Sequence, residues 1–231
     1  MKSIMLLVCA LAIAVSLPAQ AVVVWSDNFD SYPVGPLIGN GGWEGWDGNP
    51  AFDARVTNAI SRSPENSVEI LSTSDVVQSF TGLNSGLFIV SGWAYFPDNF
   101  VGEQYFIMLN TYAPGGTNNW SLQVLFDGSA GIVENQGEVP ATLPLVRGQW
   151  VEMRVEIDLT MDLQMIFYDG QMLASQSWTN GQSGGGDLNI DTIDLFSNGG
   201  SSIFWDDFMI EEVVATPVEE KTWGGVKDMF R

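Results

Sequence analysis

The sequence predicts an all-β protein, a two-sheet antiparallel β-sandwich, on three observations. Val151, Met153, Val155, Ile157 and Leu159 alternate with Glu152, Arg154, Glu156 and Asp158, the period of two that a half-buried strand requires. About a dozen short apolar runs follow one another, separated by turn-forming clusters such as "APGGTNN" (113–119), "DGSAG" (127–131) and "GQSGGGD" (181–187). No stretch makes a convincing helix, so strands must bury their apolar faces on other strands.

Taken in order, the chain opens on a targeting signal over residues 1–21. Lys2 supplies a positive start, Ile4 to Val15 an apolar stretch, and Ala19-Gln20-Ala21 an A-x-A cleavage pattern. The apolar run is shorter than the about 20 residues that span a bilayer. Val22 is then the first mature residue, and no membrane insertion is expected once the signal is removed. Residues 22–214 read as one sandwich domain of a common size for this class. Its strands are expected at "SVEIL" (67–71), "DVVQSF" (75–80), "GLFIVSGWAYF" (86–96), "EQYFIMLNTY" (103–112) and "WSLQVLF" (120–126). Further strands are expected over 151–159, 163–173, 191–196 and 201–214. Thr160-Met161-Asp162 reads as a hairpin turn because alternation stops at Leu159 and restarts at Leu163. Asp169-Gly170 between apolar runs is a second, tighter hairpin. Residues 215–231 form a linker, "ATPVEEK", and a short tail, "TWGGVKDMFR", with Thr222 placed to cap a turn of helix.

Charge and cysteine content narrow the function. The chain carries 28 acidic and 8 basic residues and no histidine, a net charge of −20. Loss of Lys2 takes the mature chain to −21. Such a surface repels nucleic acid and anionic lipid, and no nucleic-acid partner is expected. Cys9 falls within the signal, so the mature domain holds together without disulfides, on its core or on a metal. Without histidine or mature cysteine, Ser-His-Asp and Cys-His nucleophiles and most transition-metal sites are excluded.

Four segments carry a family resemblance. "DNFDSYPVGPLIGNGGWEGWDG" (27–48), followed by "SRSPENSVEI" (61–70), resembles the opening of bacterial concanavalin A-like (laminin-G-like) jelly-roll domains. "GQWVEMRVEIDLTMDLQMIFYDGQML" (148–173) is similar to that superfamily's central hairpin, and "IFWDDFMI" (203–210) to its closing strand. The resemblance implies a jelly roll whose first and last strands pair, which would bring Asp27 and Asp30 near Asp206 and Asp207. Carboxylates so gathered repel one another unless water or a cation separates them. Calcium takes 6–8 oxygen ligands, and the resemblance implies a structural Ca2+ in this region, with the closing-strand aspartate falling on Asp207. The tail resembles the short Trp-Gly-x-x-Lys-x-x-aromatic-Arg endings of some secreted bacterial proteins, which implies a sorting or docking tag.

Nine tryptophans are many for this length. Sugar rings present flat C–H faces, which exposed aromatic platforms flanked by Asp, Asn and Gly can hold. "GGWEGWDGN" (41–49) offers Trp43, Trp46, Asp47 and Asn49, and "GGTNNWS" (115–121) offers Trp120. Most other tryptophans are expected in the core, where each buries a large area.

The stretch "VEIDLTMD" (155–162) is similar to the Glu-x-Asp-x-Glu signature of β-glucan hydrolases, yet its geometry argues against catalysis. A retaining pair sits about 5–5.5 Å apart. Glu156 and Asp162 are six residues apart, about 20 Å if extended, and Asp162 falls in a turn. The expected function is therefore a secreted, non-catalytic binding domain, with a glycan or cell-surface component as partner. Its rivals are a structural envelope or matrix protein and, more distantly, a divergent glycoside hydrolase.

Overall fold

A computed structural model describes residues 19–215; the expected signal up to residue 18 and the tail from residue 216 lie outside the described residues. The described chain forms sixteen strands and two short 3-10 turns. In chain order the strands are β1 (Ala19–Asp27), β2 (Gly35–Pro36), β3 (Trp43–Gly45), β4 (Arg55–Thr57), β5 (Ser67–Ile70), β6 (Asp75–Ser79), β7 (Leu87–Tyr95) and β8 (Gly102–Thr111). They continue as β9 (Asn119–Asp127), β10 (Ile132–Asn135), β11 (Ala141–Pro144), β12 (Trp150–Asp158), β13 (Leu163–Tyr168), β14 (Gln171–Ser177), β15 (Thr192–Gly200) and β16 (Ile203–Ala215). Two antiparallel sheets result. The first runs β14-β13-β12-β7-β16-β5-β4-β2, with β1 also on β16, and the second runs β11-β10-β9-β8-β15-β6-β3.

Sequence alternation sets which side of each sheet meets the other. In β12, Val151, Met153, Val155 and Ile157 are buried in the core while Glu152, Arg154, Glu156 and Asp158 lie on the outer face. Arg154 pairs there with Glu156 and also faces Glu152, so Glu156 belongs to an outward charge pattern, while Asp162 accepts from Ser177 and Thr179. In the second sheet Phe106 and Met108 of β8, Leu122, Val124 and Phe126 of β9, and Ile193 and Leu195 of β15 point inward. Trp205 sits between the layers, 5.5 Å from Phe106 and 5.3 Å from Phe208. Truncating an aromatic in such a position costs about 3–5 kcal/mol.

Both expected hairpins form. Asp158 accepts the backbone N–H groups of Thr160 and Met161, and Asp162 takes φ 52 to turn the chain into β13. Asp169 and Gly170 both have positive φ, 49 and 70, the geometry that a two-residue turn between twisted strands needs. The first and last strands pair as expected, Asp27 opposite Phe208. Strand β1 begins at Ala19, so the A-x-A triplet pairs with Val213–Ala215.

Candidate functional site

Two regions gather the polar and aromatic residues of interest. The first lies where β1, β7, β12 and β16 meet. A cleft of about 620 Å3 there is bordered by Asp27, Tyr32, Arg62, Trp93, Glu152 and Asp207. The pairing of β1 with β16 does bring Asp27 and Asp207 to one place. Their oxygens, however, are held by protein donors. Asp27 accepts from the Phe29 backbone (2.9 Å), the Tyr32 hydroxyl (2.7 Å) and Trp43 Nε1 (2.9 Å). Asp30 accepts from the Asn66 backbone and from Asn28 Nδ2. Asp206 is buried and accepts three backbone N–H groups, from Arg62, Ser63 and Asp207. Asp207 takes the Arg62 guanidinium (2.5 Å) and the Ser63 hydroxyl (2.7 Å).

Such a donor set does not fit the calcium implied by the family resemblance. A calcium cage needs bare oxygens converging on one point, whereas N–H and O–H hydrogens point at these. Among the described residues no three His, Cys, Asp or Glu side chains cluster as they do in a carboxylate-rich metal site. The four carboxylates instead tie loops to strands, Asp206 and Asp207 anchoring residues 62 and 63 at a bulge in β16. Burial pushes Asp206 up to about 7, against the three N–H donors that favour its charge. Arg62 completes the arrangement by lying 3.8 Å over the Trp93 ring.

The second region is the outer face of the second sheet. Its middle is apolar where a solvent-facing sheet is ordinarily polar: Tyr105, Ile107, Leu109 and Leu125 form a buried cluster separate from the main core. Trp46, Tyr112, Trp120 and Phe196 pack around it, each half-buried. Strand register explains the assembly. One row across the sheet reads Leu125, Tyr105, Phe196 and Asp75; the next reads Gln123, Ile107, Asp194 and Val77. All of these but Leu125 and Val77 border a depression of about 590 Å3, together with Trp46, Asn118, Trp120 and Asn198.

The aromatic wall is built by two loops. Trp46 and Trp120 stack with ring centres 5.9 Å apart and planes 18° apart, and Tyr112 meets Trp46 at 4.9 Å. Asp47 joins the loops, its backbone N–H donating to the Tyr112 hydroxyl and its Oδ1 accepting the Gly115 N–H. Asp47 (φ 55) and Gly48 (φ 69) make a tight turn in left-handed backbone, and a Cβ on Gly45 would fall 2.0 Å from the Asn49 carbonyl oxygen. The glycines of "GGWEGWDGN" thus let Trp46 swing over the sheet.

At the floor lie Asp75 of β6 and Asp194 of β15, diagonal neighbours across the antiparallel ladder. Their carboxyls perturb each other's ionisation, and Oδ1 of each is buried with no hydrogen-bond partner. Asp194 is only 2 % exposed. Burial, then the charge of Asp75, push Asp194 well above the usual carboxylate range. Burial raises Asp75 to about 6. Two carboxyls in contact cannot both ionise cheaply, so Asp194 retains the proton.

The sequence-derived candidates divide accordingly. Trp46 and Trp120 border the depression, and Asp47 positions Trp46 from behind. Trp43 does not fit a sugar platform: its ring is 0 % exposed in the core and its indole N–H holds Asp27. Asn49 is exposed, but its side-chain oxygen caps the following 3-10 turn by accepting the Ala51 N–H. Asp75, Asp194, Tyr105 and Phe196 were not singled out from the sequence. Asp194 carries the one local signal, a charge inside the apolar run "DTIDLF" at the same parity as Thr192 and Phe196.

No known family profile matches the chain, and no curated protein matches it in sequence. Solved structures resemble it in fold. Domain 4 of AbnA, a GH43 extracellular arabinanase from Geobacillus stearothermophilus solved with arabinotriose, aligns with TM-score 0.54 at 15% identity, over 92% of this chain and all of that one. A cellulose-induced protein aligns with TM-score 0.51 at 14% identity, over 84% of this chain and 98% of its own. A sialidase aligns with TM-score 0.53 at 12% identity over 85% of this chain, which spans 18% of that protein. At these identities the likeness is one of fold: the chain is a two-sheet β-sandwich.

Proposed function

We propose that the chain is a secreted, non-catalytic glycan-binding module of the concanavalin A-like kind, and that the depression on its second sheet is where the glycan binds. One observation carries the reading: the outer face of that sheet is walled by Trp46, Trp120, Tyr105 and Phe196 above polar groups, outside the core. An apolar, aromatic-lined hollow with a few convergent polar groups is the usual form of a ligand site. Asn118, Gln123 and Asn198 at the rim offer amide groups for sugar hydroxyls. The arabinotriose complex of the AbnA domain lends support, since that sandwich of like architecture binds a sugar chain.

The same geometry favours binding over hydrolysis. A retaining glycosidase keeps its carboxyl groups about 5–5.5 Å apart and an inverting one about 6.5–9.5 Å, leaving room for the reacting atoms. Asp75 and Asp194 are diagonal neighbours on adjacent strands whose carboxyls interact directly, a closer arrangement than either.

The test is a glycan array probed with the wild-type chain, Trp46→Ala and Trp120→Ala. Truncating an aromatic at the centre of a binding site costs about 2 kcal/mol or more, about 30-fold in affinity. Both variants should lose the wild-type signals while keeping the wild-type melting temperature to within a few degrees. Wild-type signals that survive both substitutions would overturn the assignment.

A further inference from the structure

The floor of the depression says more about its ligand than the aromatic wall does. Asp75 and Asp194 border the depression, Oδ1 of each is buried with no hydrogen-bond partner, and Asp194 is almost wholly buried. A buried acceptor left unsatisfied carries a desolvation cost that a ligand donor can recover. No basic side chain of the described chain reaches this face. Arg55 pairs with Glu69, Arg62 with Asp207 and Arg154 with Glu156, while Arg147 donates to the Gly128 carbonyl. The surrounding charged groups are all acidic: Asp47 beside the Trp46 turn, and Glu103, which binds the Tyr105 hydroxyl and Asn198. The negative faces of Trp46, Trp120, Tyr105 and Phe196 favour a cation further.

Donor counting separates the candidate ligands. A sugar hydroxyl has one O–H to give and can satisfy one of the two carboxyl oxygens. An ammonium has three donors and no acceptor, and can satisfy both at once while neutralising the pair. A calcium ion would need 6–8 oxygens, and the two carboxylates have no third at this place.

We propose that the depression takes a glycan bearing a free amino group, its ammonium seated between Asp75 and Asp194 and its ring against Trp46 and Trp120. The inference rests on the glycan-binding reading and adds a charge preference to it. Acidic sugars are excluded by the same carboxylates, and N-acetylation removes the positive charge that the pair attracts.

Isothermal titration calorimetry of the full chain at neutral pH tests this with three probes: a glucosamine trimer, the N-acetylglucosamine trimer and trilysine. The glucosamine trimer should bind about tenfold or more tightly than its N-acetylated counterpart. Asp75→Asn, at a half-exposed position, and Asp194→Asn should each shrink that preference to about threefold or less. Using both variants guards against a folding defect at the buried position. Equal or tighter binding of the N-acetylated trimer would overturn the charge preference and leave the glycan reading standing. Trilysine binding as tightly as the glucosamine trimer would overturn the sugar component. Failure of both sugars to bind, together with a blank glycan array, would overturn the inference and the glycan reading together.

Discussion

The cleft beside β16 and the depression on the second sheet both contain aspartates among aromatics, and they use them in opposite ways. Around β16, Asp27, Asp30, Asp206 and Asp207 are matched by backbone N–H groups, hydroxyls, the Trp43 indole and one arginine. On the second sheet Asp75 and Asp194 face each other with an oxygen apiece unmatched. A carboxylate surrounded by its own donors holds a fold together. A buried carboxyl pair without them destabilises the fold, and such a cost is ordinarily retained where a ligand offsets it. Acidity as such is thus a poor guide to a site in a chain with 28 acidic residues; the donor inventory around each acid is the better one.

The contrast breaks or sharpens under substitution. The largest effect is expected for Asp206→Ala, which orphans three backbone donors at a buried position. At about 1–3 kcal/mol for each donor that water fails to reach, the loss should be on the order of 3 kcal/mol, read from urea unfolding. Asp194→Leu should behave oppositely at pH 7, keeping stability or raising it by about 1 kcal/mol, because it removes an unmatched buried carboxyl. A loss at Asp194 as large as that at Asp206 would erase the distinction between the two regions.

A smaller effect is expected with pH. Asp75, Asp194 and Asp206 have folded pKa values above those of the unfolded chain, so the folded state binds more protons between about pH 4 and the folded values of about 6 and about 7. Stability should therefore fall as pH rises from about 4 toward about 7. Asp194→Asn should flatten part of that decline, because it removes one of the carboxyls whose pKa burial raises. A stability that rises with pH across the window would contradict the burial of these groups. The smallest effect is expected for calcium: adding it, or removing it with a chelator, should leave the melting temperature unchanged, whereas a site at Asp207 would raise it with saturation.

Most of the fold was legible in the sequence because it is written locally. Alternation over 151–159 and the turns at Thr160–Asp162 and Asp169-Gly170 specify β12, β13 and β14 without reference to the rest of the chain. The short strands β2, β3, β4, β10 and β11 were not, since two to four residues such as Gly35-Pro36 or Ile132–Asn135 carry too few periods to register. The site was legible by halves. Trp46 and Trp120 stand in glycine-rich loops that announce exposure. Trp43, three residues from Trp46 in the same loop, points the other way because it closes β3 against β6. Asp75 and Asp194 lie 119 positions apart and meet only through the β6–β15 ladder, a pairing that no local pattern specifies.

The central claim is that glycan binds on the second sheet and not in the cleft beside β16. The measurement that tests it most directly is the affinity of Trp120→Ala and Trp93→Ala for the best glycan found with the wild-type chain. Trp120 borders the depression and Trp93 borders the cleft, and neither belongs to the main core. The account predicts that Trp120→Ala loses affinity about 30-fold or more while Trp93→Ala stays within about twofold of wild type. Affinity lost with Trp93→Ala and kept with Trp120→Ala would contradict it.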